Sequence, residues 1–260
     1  MNAYLLDSAR TLVPRDIPAP EPGPDEVLLR VDTAGICGSD IEYYLHYRIG
    51  PFVPKAPLVL GHEFAGEVVE LGRDVREPAL GTRVAVDPSI PCRQCRFCRA
   101  GRHNLCEQLR FIGTAATYPH ISGGFGEYVA LPARNCHVIP DHLSMGEGAC
   151  LEPLAVAVHA AMRANRIAGR RVLISGGGTI GQFLALTARA FGAVAVCVSD
   201  PQPDRRDFAL DRGADYAVDP GNAEDMQRVL SRGGPFPVLF EASGAPAAVA
   251  GALELVDRGG

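Results

Sequence analysis

Four cysteines share one short loop, Cys92-Arg93-Gln94-Cys95-Arg96-Phe97-Cys98 followed by Cys106, in a C-x2-C-x2-C-x7-C spacing. Four thiolates so placed can close a tetrahedron around Zn²⁺ and leave no position for substrate. The chemistry is therefore that of a structural metal, with a four-thiolate iron–sulfur centre as the rival. Such a cluster is net negative, and Arg93, Arg96, Arg99 and Arg102 in the same loop would neutralise it. A basic zinc ribbon for nucleic acid is the other reading of those arginines. The chain opposes it, with 25 Lys and Arg against 30 Asp and Glu, a net charge of −5, and no aromatic platform beside the basic residues.

A second set is scattered: Cys37 in Gly35-Ile36-Cys37-Gly38-Ser39-Asp40, His62 and Glu63 after Gly61, and Glu152 in Cys150-Leu151-Glu152-Pro153-Leu154. Sulfur, nitrogen and oxygen donors from distant segments suit a catalytic zinc, which keeps one position open. Spacing alone does not separate these residues from ordinary buried cysteines and histidines.

The third set is a phosphate cradle. Arg171 to Ser175 is a β-type run, Gly176-Gly177-Gly178-Thr179-Ile180-Gly181 follows as G-x-G-x-x-G, and a helix is predicted over Gln182 to Phe191. Gly176 permits a tight turn, Gly178 lets backbone approach a pyrophosphate, and Gly181 lets helix and strand pack closely; Thr179 and Ile180 open the helix whose N-terminus faces the phosphates. Asp200, at the end of the next strand, can accept from ribose hydroxyls and would repel a 2′-phosphate, which points to NAD over NADP. The plainer alternative is a glycine turn in a non-binding sheet, with Asp200 capping the next helix. Arg205 and Arg206 read equally as adenine-pocket residues and as solvated helix residues.

The elements that must position these groups change character near residue 150. Before it, short β runs are broken by Gly and Pro: Glu26 to Thr33, Gly66 to Leu71, Arg83 to Val86 and Gly126 to Leu131, with Pro14 to Pro24 as an extended connector. This half reads as all-β. After it, helices and strands alternate, with helices over Pro153 to Asn165, Pro203 to Arg212, Ala223 to Ser231 and Ala247 to Val256, and strands over Arg171 to Ser175, Ala193 to Ser199, Tyr216 to Val218 and Val238 to Glu241. That rhythm builds a parallel sheet. The expected fold is α/β plus β: a catalytic β domain over 1–150, then a dinucleotide-binding sheet over 151–260. The stretch Asp257 to Gly260 reads as a helix C-cap leading toward a fifth strand. The expectation is a fragment truncated after its fourth strand, or a sheet with an unpaired edge.

At 260 residues and 47% apolar, the chain can bury a sizeable core. No apolar run approaches the ~20 residues of a membrane span. The N-terminus MNAYLLDSAR carries no basic region ahead of an apolar one, so no membrane partner and a cytoplasmic location are expected.

Together these motifs resemble the zinc-dependent medium-chain dehydrogenase/reductase family, a GroES-like catalytic domain joined to a Rossmann domain. Glu152 in Glu152-Pro153-Leu154 is similar to the sorbitol (polyol) branch. Lys55-Ala56-Pro57, Arg110-Phe111-Ile112-Gly113 and Tyr118-Pro119-His120 through Gly123-Gly124-Phe125 resemble L-idonate 5-dehydrogenases. The resemblance implies Cys37, His62 and Glu152 or Glu63 at a catalytic zinc, and Cys92, Cys95, Cys98 and Cys106 at a structural one. It also implies Ser39 and Tyr43 beside the substrate oxygen, and hydride transfer from C5 of L-idonate to NAD, reversibly giving 5-keto-D-gluconate. A sorbitol or other polyol enzyme and a non-catalytic zinc- and nucleotide-binding protein are the alternatives. A homo-oligomer is implied where the family's C-terminal segment is present. The family commonly has His where this chain has Glu42, with His46 a substitute in a proton relay. Arg48, Lys55, Arg110 and His120 are the candidate cations for a substrate carboxylate.

Overall fold

The computed structural model describes residues 1–164 and 166–259; the helix predicted to end at Asn165 therefore has its last residue outside the described residues, as does Gly260. The chain divides into two compact units, Met1–Glu152 and Pro153–Gly260.

In the first unit the order is β1 (Asn2–Ser8), β2 (Thr11–Asp16), β3 (Glu26–Ala34), α1 (Gly38–His46), β4 (Leu58–Val59), β5 (Phe64–Leu71), β6 (Arg83–Val86), β7 (Ser89–Ile90), α2 (Arg96–Arg99), β8 (Arg110–Phe111), β9 (Tyr128–Pro132), β10 (Cys136–Val138) and α3 (Met145–Ala149). A five-stranded sheet runs β10-β6-β5-β3-β9 and a smaller one β2-β1-β4, while β7 and β8 pair with each other. Alternate residues of each strand face one side. Val27 and Leu29 of β3 accordingly join Phe64, Val68, Val84, Ile112, Val129 and Leu131 in one buried core.

Two expectations need correction here. Pro14 is not in a connector but in β2, opposite Tyr4 of β1. β2 lies at a sheet edge, where a missing N–H breaks no ladder. The half is also not all-β, because α1 and α3 interrupt the strands. The helix α1 has a cap that a strand reading of the apolar pattern cannot see: Asp40 returns its carboxylate to the Cys37 N–H at 2.9 Å.

The second unit carries α4 (Leu151–Arg163), whose first turn spans the boundary, then β11 (Arg171–Ser175), α5 (Thr179–Ala190), β12 (Ala195–Ser199), α6 (Pro203–Asp211), β13 (Tyr216–Val218), α7 (Ala223–Leu230), β14 (Val238–Glu241) and α8 (Pro246–Leu253). The parallel sheet has the order β13-β12-β11-β14, a Rossmann-type arrangement with β11 central. Both faces of β11 are covered, which is why it reads as an unbroken apolar run. Val172 and Ile174 pack with Ala157, Leu184 and Ala188 on one face, and Leu173 with Cys197, Val218 and Phe236 on the other. Helix α5 starts at Thr179, with Gly178 in extended cap geometry before it. Among the described residues no helix is long and apolar enough to cross a membrane.

Cys197 is fully buried in β12. Burial pushes its thiol up to about 12. A thiol in the unfolded chain ionises near ~8.5, so the folded state holds a proton that the unfolded state loses between those values. Stability from this group is complete below the lower value and is lost as pH rises toward the upper one, by about 1.4 kcal/mol per pH unit. Denaturant unfolding of the native chain and Cys197→Ala from about pH 8 to about pH 10 should show the steeper alkaline decline in the native chain. Parallel declines would remove Cys197 as the cause.

Candidate active site and metal centres

The four-cysteine loop folds around one point. The sulfurs of Cys92, Cys95, Cys98 and Cys106 all lie within 4.8 Å of one another, and those of Cys92 and Cys98 are 4.0 Å apart. Zinc–sulfur bonds of ~2.3 Å set tetrahedral sulfurs about 3.8 Å apart, so the donor set fits zinc. The sulfurs of Cys92 and Cys106 accept backbone N–H groups: Cys95 to Cys92 at 3.4 Å, Cys92 to Cys106 at 3.2 Å and Gln108 to Cys106 at 3.4 Å. Backbone donors from Cys98 and Glu107 draw the Cys95 thiol down to about 6. Arg93, Arg96, Arg99 and Arg102 are all exposed, and Arg96 pairs with Glu107 at 2.9 Å.

The scattered set also converges. Cys37 at the start of α1, and His62 and Glu63 at the entry to β5, place their ligand atoms within 4.8 Å of one another, with His62 and Glu63 buried. Glu152 is outside that group yet close enough to feel His62 and Glu63, and burial raises its carboxyl above the usual range. Burial likewise raises Cys37 and Glu63. Ser39 hydrogen-bonds to Cys37. The donor set, one sulfur, one imidazole and one or two carboxylates, is that of a catalytic zinc.

Asp40 belongs to this site although only its motif, and no role, was legible in the sequence. It is 3% exposed. One carboxylate oxygen caps α1, and the other, Oδ1, lies 3.8 Å from His62 Nδ1. Neither of those facing atoms has a hydrogen-bond partner. At that distance the two are not hydrogen-bonded, so Asp40 acts on the imidazole through its charge. Phe111 packs its ring against the His62 imidazole, centroids 5.7 Å apart at 69°.

Other expected residues have different surroundings. Tyr43 is 2% exposed within a core of Leu6, Leu58, Leu60 and Ala115, and its hydroxyl accepts the Ala115 N–H at 3.2 Å. That bond leaves only the Tyr43 O–H proton to offer. Glu42 and His46 stand 3.9 Å apart on α1, both more than half exposed. Of the four candidate cations, His120 is closed: its Nε2 accepts the Lys55 N–H at 2.9 Å and its Nδ1 lies 2.7 Å from the Thr117 carbonyl. Arg48 is folded onto Gly50 O at 2.8 Å. Arg110 precedes Phe111 in β8, so strand alternation turns it from the face that meets His62. Lys55 is left, its ammonium 5.5 Å above the Tyr118 ring.

In the second unit, Gly176, Gly178, Asp200 and Arg205 line a cavity of about 800 Å³, a volume suited to a nucleotide. Gly178 caps α5 with no side chain on the free amides of Thr179 and Ile180, which leaves them for an anion. A Cβ on Gly181 would overlap the Gly176 carbonyl oxygen. Asp200 is 2% exposed and accepts Gly177 N–H at 2.7 Å and Gln202 N–H at 2.8 Å. Arg205 approaches it at 3.4 Å. Arg206, by contrast, donates to the Asp200 and Pro201 carbonyls and faces Asp219 at 3.5 Å. It ties strand ends together.

The alcohol dehydrogenase GroES-like domain matches residues 23–141, and the zinc-binding dehydrogenase domain matches residues 179–260. Sorbitol dehydrogenase of Bacillus subtilis (strain 168) is 36% identical over 100% of this chain and 73% of its own length. L-idonate 5-dehydrogenase from Escherichia coli K-12 superposes with a TM-score of 0.87 at 36% identity, over 98% of this chain and 72% of that one. A structure from Sinorhizobium meliloti 1021, bound to NADP, superposes with a TM-score of 0.90 at 38% identity, over 100% of this chain and 74% of that one. With both domains matched and this level of identity along the whole length, the chain belongs to the zinc-dependent medium-chain dehydrogenase/reductase family, in its polyol dehydrogenase branch.

Proposed function

We propose that the chain oxidises the C5 alcohol of L-idonate, or reduces 5-keto-D-gluconate in the reverse direction, with NAD as coenzyme. The convergence of Cys37, His62 and Glu63 within 4.8 Å is the observation that carries the catalytic reading. Those residues, with Glu152, would hold the catalytic zinc, and Cys92, Cys95, Cys98 and Cys106 the structural one. Zinc in the first site supplies Lewis acidity toward an alcohol oxygen, and the dinucleotide supplies the hydride acceptor. Asp40 places its charge beside the imidazole, Phe111 packs against the ring, and the Ser39 hydroxyl beside Cys37 passes the alcohol proton toward solvent. Tyr43 offers its O–H proton to the substrate. Glu63 and Glu152 are two carboxylates for one place, which allows one to withdraw when substrate or water enters.

The idonate preference is supported by the Lys55, Arg110 and His120 motifs and by the likeness to an L-idonate 5-dehydrogenase. Lys55 is the cation offered to the carboxylate. The sorbitol dehydrogenase relative favours a second reading, a neutral polyol as substrate. The NAD preference rests on the buried Asp200 carboxylate, whose fixed charge opposes a 2′-phosphate.

Metal analysis should find two zinc ions per chain, and Cys37→Ser should lose one of them together with nearly all turnover while its far-UV circular dichroism stays unchanged. Full turnover by that variant would remove Cys37 from the site. Steady-state assay of L-idonate against sorbitol should favour the acid by at least about tenfold in kcat/KM, equivalent to about 1.4 kcal/mol; Lys55→Met should erase that preference, and a native enzyme faster on sorbitol would select the polyol reading. Asp200→Ala should lower the ratio of NAD to NADP affinity by roughly tenfold, about 1.4 kcal/mol. Equal losses for both coenzymes would mean that Asp200 only braces the turn.

A further inference from the structure

Gln182 has polar contacts that packing does not require. It lies in the first turn of α5, and its side-chain Nε2 donates to Gly177 O at 2.9 Å and to Arg205 O at 3.0 Å. Two carbonyl acceptors on one nitrogen assign the amide orientation and use both of its protons. The opposite atom, Oε1, is buried with no partner. An apolar side chain of the same length would avoid that loss, so stability alone does not account for an amide here.

The Gly177 residue is gripped from both ends. Its N–H donates to Asp200 Oδ2 at 2.7 Å, and its carbonyl takes Gln182. The Arg205 guanidinium, 3.4 Å from the same Asp200 oxygen, closes the circuit. A peptide unit is planar and trans, so the Gly178 N–H points opposite to the Gly177 carbonyl. With that carbonyl turned to Gln182, the Gly178 N–H is turned away from it, and Gly178 lines the nucleotide-sized cavity. A Gly-Gly peptide has little to stop it from rotating except its hydrogen bonds.

We propose that Gln182 is a positioning residue for coenzyme binding: by holding the Gly177 carbonyl it aims the Gly178 N–H, beside the free amides of Thr179 and Ile180, at the pyrophosphate. This role rests on the dinucleotide reading of the cavity. It makes Gln182 specific for the phosphate part of the ligand, because the grip acts on the peptide that faces the phosphates. The bond to Arg205 O also links the turn to α6, whose Arg205 lies beside Asp200.

Isothermal titration calorimetry of the full chain with ADP-ribose and with adenosine tests it. Gln182→Met, which keeps length and helix propensity but donates nothing, should weaken ADP-ribose by about tenfold or more, leave adenosine within about twofold, and melt without nucleotide near the native temperature. Gln182→Asn, one methylene too short to reach both carbonyls, should behave alike, and it serves if the Met variant fails to fold. Unchanged ADP-ribose affinity, or equal losses for ADP-ribose and adenosine, would overturn the proposed role while leaving the dinucleotide reading intact. A native chain that binds neither ligand would overturn that reading and this role with it.

Discussion

Backbone touching backbone, with no room for a side chain between, is the constraint on which both sites depend. In the first unit three segments meet at Gly61, the residue before His62. Gly61 has a φ of +95°, and a Cβ on either Gly113 or Gly123 would overlap the Gly61 carbonyl oxygen. Hydrogen bonds seal the junction, Gly124 N–H to Gly61 O at 2.8 Å and Phe125 N–H to Leu60 O at 3.0 Å. The chain leaves this knot directly into His62 and Glu63, so two candidate ligands inherit a position set by glycines far away in sequence. The second unit uses the same device: Gly176 has a φ of +99° and lies so close to Gly181 that a Cβ there would overlap its carbonyl oxygen.

Electrostatics then divide the two candidate metal centres. Asp40, Glu63 and Glu152 surround one imidazole in a buried place, and each carboxyl is pushed up by that burial. Such a group of acids is poorly compensated by protein alone, and a divalent cation is the charge that completes it. The four-cysteine loop is balanced differently. Its sulfurs rest on backbone N–H groups, and its arginines stand in solvent, where they neutralise at long range without occupying the centre. One cluster has buried acids that a cation would complete; the other has four sulfurs that would close around one.

Asp200 shows how a glycine turn is braced by a buried carboxylate. A carboxylate that is 2% exposed needs donors, and two backbone N–H groups with one guanidinium supply them. The same bonds fix the glycine turn on one side and the start of α6 on the other. The proposed recognition of a ribose would therefore be built on a group that already holds the loop. Preorganisation of this kind lowers the ordering cost of binding.

Much of this was legible in the residues themselves. The C-x2-C-x2-C-x7-C loop is local, so its spacing already confines four sulfurs to one place. The alternation of β11, β12 and β14 with helices is also local, because apolar runs broken at regular intervals can bury their faces only as a parallel sheet. Strand β2 and helix α1 were not legible. Each depends on an edge position or a cap that apolar periodicity does not carry. What the sequence determined by itself was the donor chemistry and the fold class, since residue types and near spacings settle both. What only the tertiary structure decided was which donors meet: Cys37 with His62 and Glu63, Asp40 behind the imidazole, His120 closed by two backbone groups, and Gln182 on the glycine turn. Those meetings are made by contacts between segments whose separation along the chain says nothing of their distance in space.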